Sequence, residues 1–234
     1  MTTLTFPNWT QIKVTKETIK VNKSHWVDNK FMHEADSIDY IYKSLLETIR
    51  RNGTARLVDI GAQEGLYSLY SKSLDAVRID SYEPCPISYK CLVDNIALNG
   101  CKEKIFPYNF AISDYKGIAL LKSSSSEPSI KTLTEKPIRF KEFDEVEVMT
   151  ETLDNLYAVR HIDFIRLSAE GWEYFILKGG LKVIKRDKPC LLITVNETSI
   201  RECNVKSKDL FNILKLLGYK QKKIIDYENI VFIS

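Results

Sequence analysis

The chain has 234 residues, 44% hydrophobic and 28% charged, a globular balance that excludes a disordered chain, a collagen-like fibre and a coiled-coil rod. Thirty-four Lys and Arg against 31 Asp and Glu leave a formal charge of +3, too weak to argue for nucleic acid as a partner. No apolar run approaches the ~18 residues needed to span a bilayer, and the opening MTTLTFPNWTQIKV lacks a basic stretch followed by an apolar one, so a cytoplasmic protein without a membrane span is expected.

Residues 11–21, QIKVTKETIKV, alternate apolar and polar in short pieces and read as a small hairpin or edge strands. Residues 34–50 place Ile38, Ile41, Tyr42, Leu45, Leu46 and Ile49 at helical spacing, and Asn52-Gly53 stops that helix. The first 52 residues therefore read as a hairpin-and-helix cap leading into a main domain over 53–234.

From there strands and helices alternate. Strands are expected at 56–60, 76–82, 104–112, 162–167 and 190–195, and helices at 66–73, 87–98, 172–186 (broken at Gly179-Gly180) and 207–217. The tail, YKQKKIIDYENIVFIS, reads as an antiparallel edge hairpin around 226–229. Such alternation implies right-handed crossovers and an α/β, doubly wound, mostly parallel sheet. Residues 113–158 break the rhythm with SSSSEPS and then FKEFDEVEVMT; we expect an insertion of two strands with a mobile Ser-rich tip at 123–129.

Doubly wound sheets bind ligands at the carboxyl ends of their strands. There the sequence reads LVDIGAQEGLYSL, with Gly61 and Gly65 flanking the first strand-to-helix turn. The spacing is neither GxGxxG nor a phosphate loop. The second strand ends in Glu83, 24 residues after Asp59. A carboxylate beside a Gly turn can accept both hydroxyls of a ribose, so the pair points to a nucleoside-containing cofactor. Five cysteines (85, 91, 101, 190 and 203) show no CxxC pair and read as free thiols in a reducing compartment. His25, His33 and His161 form no ligand-spaced cluster, so no metal is expected.

The stretches LVDIGAQEGLYSL, SYEPCPISYKCLVDNIALNG, AISDYKG, TLDNL, DFIRLSAEGWEYFILKG and KPCLLITVNE resemble, in order, the strings of the FkbM family of S-adenosylmethionine-dependent methyltransferases (VDVGANxGxYS, EPNP, NIxLNG, TLDxL, IKIDVEGxE). The resemblance covers roughly 56–218 and implies a Rossmann-like class I methyltransferase fold that binds S-adenosyl-L-methionine over the Gly turn. It implies that Asp59, Gly61, Ala62, Gln63 and Gly65 line the methionine and ribose side, that Glu83 and Pro84 hold the ribose, and that Asn109 to Ala111 lie near the adenine. The sequence departs from those strings at Gln63, Cys85, Arg166 and Ser168, where the family has Asn, Asn, Lys and Asp.

The family Asp at position 168 would face the transferred methyl group. Ser168 cannot serve as a carboxylate base or hard-metal ligand. Glu170, directly after the strand end, is the expected general base, ahead of Glu173 and Glu197. Trp172 is either an acceptor-stacking wall or ordinary packing, as are Tyr67 and Tyr70. Three readings follow: an O-methyltransferase acting on a sugar, glycan or other small hydroxylated acceptor; a catalytically reduced cofactor-binding or scaffold protein; and a nicotinamide oxidoreductase, weakened by the missing middle Gly. Nothing in the sequence sets an oligomeric state.

Overall fold

A computed structural model of the chain describes residues 1–5, 10–21, 34–124, 131–135, 137–139, 141–225 and 228–234. His25, Trp26 and His33, and residues 125–129 of the Ser-rich tip, lie outside them.

The central sheet has seven strands: β3 (Ala55–Ile60), β4 (Val77–Tyr82), β5 (Ile105–Tyr108), β10 (Phe164–Leu167), β11 (Cys190–Thr194), β12 (Lys220–Ile224) and β13 (Asn229–Ile233). Their order is β12-β13-β11-β10-β3-β4-β5. The five strands from β11 to β5 pair in parallel, whereas β13 runs antiparallel to both β11 and β12. The expected C-terminal hairpin is present, with its second strand inserted between β11 and the edge strand β12. That edge strand, KQKKI, is exposed throughout, and its lysines disfavour pairing with another sheet.

Side chains alternate across each strand, so a sheet covered on both faces needs apolar residues at successive positions. Leu57, Ile79, Phe164, Leu192 and Val231 enter one core with helices α2 (Ala35–Asn52), α3 (Leu66–Tyr70) and α4 (Pro86–Leu98). Val58, Ile60, Ile165, Leu167, Leu191 and Ile193 enter the other, with α5 (Leu153–Leu156), α6 (Glu173–Lys178), α7 (Leu181–Asp187), α8 (Glu197–Glu202) and α9 (Ser207–Leu216). The result is a three-layer α/β fold.

Three expectations change. Only Gln11–Val14 of the 11–21 stretch is a strand, β2, paired with β1 (Thr2–Thr5); Lys16–Val21 is helix α1. The Thr15 hydroxyl accepts from the Thr18 N–H at 3.1 Å, an N-terminal cap that turns the chain into that helix. The expected strand 104–112 ends at Tyr108, and β6 (Ala111–Ile112) leaves the central sheet for a second one. The insertion is a four-stranded sheet, order β6-β9-β7-β8, in which a long hairpin of β7 (Gly117–Ser124) and β9 (Phe143–Glu151) is joined by β8 (Lys131–Thr132). Cys85, Ala111, Leu121 and Val148 form a small core beneath it.

The N-terminal segment is clipped to α4 by two asparagines of NIALNG. Asn95 accepts from the Thr15 N–H and the Thr18 hydroxyl and donates to the Glu64 carbonyl at 2.9 Å. Asn99 bonds both the N–H and the carbonyl of Lys13. Among the described residues no helix is long and apolar enough to cross a membrane.

Candidate cofactor and acceptor site

The strand order reverses between β3 and β10, and a cleft opens there at the carboxyl ends of β3, β4 and β10, where α/β sheets place their ligands. It encloses about 550 Å³, counting space open to solvent.

Its floor is the turn after β3. Gly61 (φ +77°) and Gly65 (φ +97°) adopt left-handed conformations. A Cβ on Gly61 would lie 1.9 Å from the Ser168 carbonyl oxygen, so the glycine lets the β3 and β10 ends meet. The Gly61 and Ala62 N–H groups both donate to the Tyr82 carbonyl at 3.0 Å, tying the turn to β4.

Glu83 follows β4 and is buried. One carboxylate oxygen accepts from the Gln63 N–H and the other from the Cys85 N–H, each at 2.9 Å. These bonds aim the carboxylate across the turn. Burial pushes its pKa upward against the pull of Lys131 and the two N–H donors. Asn109 donates its side-chain amide to the carbonyls of Glu83 at 2.9 Å and Pro84 at 3.0 Å, fixing the Glu-Pro corner from behind.

Of the residues expected around the cofactor, Gly61, Gln63, Glu83, Pro84 and Ala111 line the cleft; Asp59, Ala62, Gly65 and Asn109 do not. Asp59 is fully buried and accepts from the Ser68 hydroxyl at 2.6 Å and Arg166 at 3.4 Å. Arg166 also donates to the Gly61 carbonyl at 2.7 Å and stacks over the Tyr67 ring, 4.3 Å from its centroid. This buried pair braces the turn beneath the cleft. Gly65 is packed instead against Leu92, whose Cδ1 would lie 2.6 Å from an added Cβ.

On the opposite side Ser168, Ala169, Glu170 and Trp172 line the cleft. Glu170 has φ +52°, an uncommon conformation for a side-chain-bearing residue. Its carboxylate is ion-paired with Arg139 of the insertion. Glu173 is buried and accepts from the Ala169 N–H at 2.7 Å, holding the loop between β10 and α6. Burial lifts its carboxyl pKa from 4.5 to about 7. Glu197 is exposed on α8 and away from the cleft. Trp172 donates its indole N–H to the Ser113 hydroxyl at 3.1 Å and packs on Phe175. Tyr67 and Tyr70 lie in the core under α2.

The sequence predicts the insertion, over 113–150, as a wall or lid but does not say which of its residues reach the cleft. Leu121, Lys131, Thr132 and Leu133 form one wall of the cleft. Thr134 donates to the Glu202 carbonyl at 2.7 Å, and the buried Glu202 carboxylate accepts from the N–H groups of Ile138 and Arg139 and from the Arg139 guanidinium. No signal in the chain distinguishes these polar residues from a solvated loop. Among the described residues no cluster of three His, Cys, Asp or Glu side chains could hold a metal ion.

The strand order, with its single antiparallel strand next to the edge, and the cleft at the switch point define a class I methyltransferase fold. The FkbM methyltransferase domain matches residues 59–220, and the chain belongs to that family. The structure is similar to methyltransferase FkbM from Methylobacillus flagellatus (TM-score 0.53, 18% identity, covering 82% of this chain and 48% of that one). It is also similar to the methyltransferase domain of METTL16 (TM-score 0.52, 15% identity, covering 85% of this chain and 67% of that one). The chain spans about half the length of the Methylobacillus structure. No curated protein matches its sequence.

Proposed function

We propose that the protein binds S-adenosylmethionine across the Gly61–Gly65 turn and transfers its methyl group to a hydroxyl of a sugar, glycan or other small acceptor. The observation that carries the cofactor half is the buried Glu83 carboxylate, held by two N–H groups at the end of β4 beside a glycine without a Cβ. It can accept ribose hydroxyls, and the apolar walls at Phe110, Ile112, Leu121 and Leu133 suit a flat ring. The cofactor supplies an activated methyl on sulfur; the protein supplies alignment and, for a hydroxyl acceptor, a proton acceptor. Ser168 and Glu170 stand at the end of β10 on the side away from Glu83, with Glu170 as the acceptor-side base and Trp172 as a wall.

A second reading rests on Ser168 and on the Glu170–Arg139 pair. A chain with no free carboxylate at that strand end would bind cofactor without turning over. Calorimetry with S-adenosylhomocysteine tests the shared half. Glu83→Ala removes a charged acceptor contributing about 1.5–3 kcal/mol, so affinity should fall roughly tenfold or more. Unchanged affinity would take Glu83 out of the site. A screen of sugar nucleotides, glycans and lipid-linked sugars with methyl-labelled cofactor separates the enzyme from the inactive binder.

A further inference from the structure

Lys131 is a lysine out of place. It belongs to the two-residue strand β8, which pairs only with the end of β7, through Ser123↔Lys131 and Lys122↔Thr132. Lysines keep their ammonium in water unless a partner compensates burial; this one is 8% exposed and lines the cleft. Its ammonium donates to the Ser88 hydroxyl at 2.9 Å, and Ser88 in turn donates to the Glu64 carboxylate at 3.0 Å. Glu83 lines the same cleft as Lys131, and the buried Glu64 is one hydroxyl away through Ser88, so two buried carboxylates act on one cation from the insertion. Cys85 and Glu170 are the other titratable groups whose field reaches Lys131. An ammonium has three donors, and Ser88 takes one.

Resting on the cofactor reading above, we propose that Lys131 binds the cofactor as a pair with Glu83, the ammonium donating and the carboxylate accepting at the two ribose hydroxyls of an adenosine group. The pair needs both halves. Glu83 offers only an acceptor and Lys131 only a donor; together they give an edge that can both accept from and donate to hydroxyls, and so discriminates for them. It also makes the insertion part of the cofactor site as well as an acceptor wall. β8 would then complete the cofactor's pocket.

The test is calorimetry of S-adenosylhomocysteine on wild type, Lys131→Met, Lys131→Arg, Glu83→Gln and the Lys131→Met/Glu83→Gln double variant, from pH 5.5 to 8.5. Lys131→Met should bind at least tenfold more weakly at the acid end and recover part of the loss at the alkaline end. Burial already favours protonated Glu83, and losing the neighbouring cation favours it further, so falling pH removes the charged acceptor. Lys131→Arg should restore most of the affinity. The double variant should be no weaker than Glu83→Gln alone, the non-additivity expected of residues acting as a unit. A Lys131→Met protein within twofold of wild type across the range overturns the proposal. So does a loss that is uniform with pH and unrescued by Arg, because that marks a structural role. Absence of binding by wild type at every pH overturns the cofactor reading and the pair with it.

Discussion

Two residues on the turn and its neighbouring loop show how side chains here are fixed by backbone. Gly61 is needed less for the ligand than for the neighbouring strand: any Cβ points at the Ser168 carbonyl, 1.9 Å away. Gly61→Val adds a clash with immovable backbone to a left-handed φ, so we expect a loss of at least about 3 kcal/mol in urea unfolding, or no folded protein. Stability within 1 kcal/mol of wild type would show that the β10 end yields, contrary to this packing. Glu173 makes a pH prediction. Its folded pKa, about 7, lies above the ordinary 4.5, with burial the main cause. The native state therefore binds the extra proton between those values, and wild-type stability from this group falls as pH rises from about 4.5 to about 7. Glu173→Gln keeps an oxygen for the Ala169 N–H and lacks the titration. It should match wild type near pH 4.5 and exceed it by up to about 3 kcal/mol above pH 7 in thermal melts. A pH-independent difference would remove Glu173 as the cause. Glu83 was legible in the sequence because a strand end, a following Pro and a preceding Gly turn fix its place. The direction of Asp59, away from the cleft toward Arg166 and Ser68, was not, because a strand gives alternation but not which face holds the ligand.

The segment from Lys131 to Arg139 acts as a strap between the insertion and the main sheet. Its described residues are anchored on α8 by the Glu202 carboxylate, which accepts at 2.6–2.8 Å from Arg139 and Ile138. Removing the charge of such a buried carboxylate is costly, since the half-buried Arg139 then keeps Glu170 alone as its counterion and the Ile138 and Arg139 N–H groups lose a charged acceptor. Glu202→Gln should cost about 3 kcal/mol in stability and speed tryptic cleavage at Lys131 and Arg139 severalfold. Cleavage unchanged from wild type would show that the strap is held elsewhere. The helices were readable from periodicity because each buries a regular face, and the parallel strands from short continuous apolar runs because both their faces are covered. The strap was not, since its anchors are polar side chains meeting carbonyls and carboxylates 60 or more residues away. The helix at Lys16–Val21 escaped for a related reason: TKETIKV has the alternation of a strand, and only the Thr15 cap and the bonds to Asn95 decide for helix.

At the scale of the whole molecule, the proposed site is shared between the central sheet and the insertion. The central sheet supplies Gly61 and Glu83; the insertion, through β8 and Arg139, reaches across to the end of β10. What the chain does with a bound cofactor therefore depends on whether Glu170 can leave Arg139 when an acceptor enters. We expect it to, because Glu170 is the more accessible partner of the pair and Arg139 keeps the buried Glu202 carboxylate as a counterion when Glu170 leaves. Glu170→Gln should then cut turnover of a hydroxyl acceptor by roughly 10²–10⁴-fold, the usual worth of a general base, while affinity for S-adenosylhomocysteine stays nearly constant. Ser168→Asp should be neutral or harmful, since it sets a second carboxylate beside the first at the same strand end. The inactive-binder reading requires the reverse: no turnover by wild type and a trace recovered by Ser168→Asp. Measuring both variants and wild type against one acceptor panel separates the two, and full activity in Glu170→Gln would defeat the base assignment whichever acceptor is found.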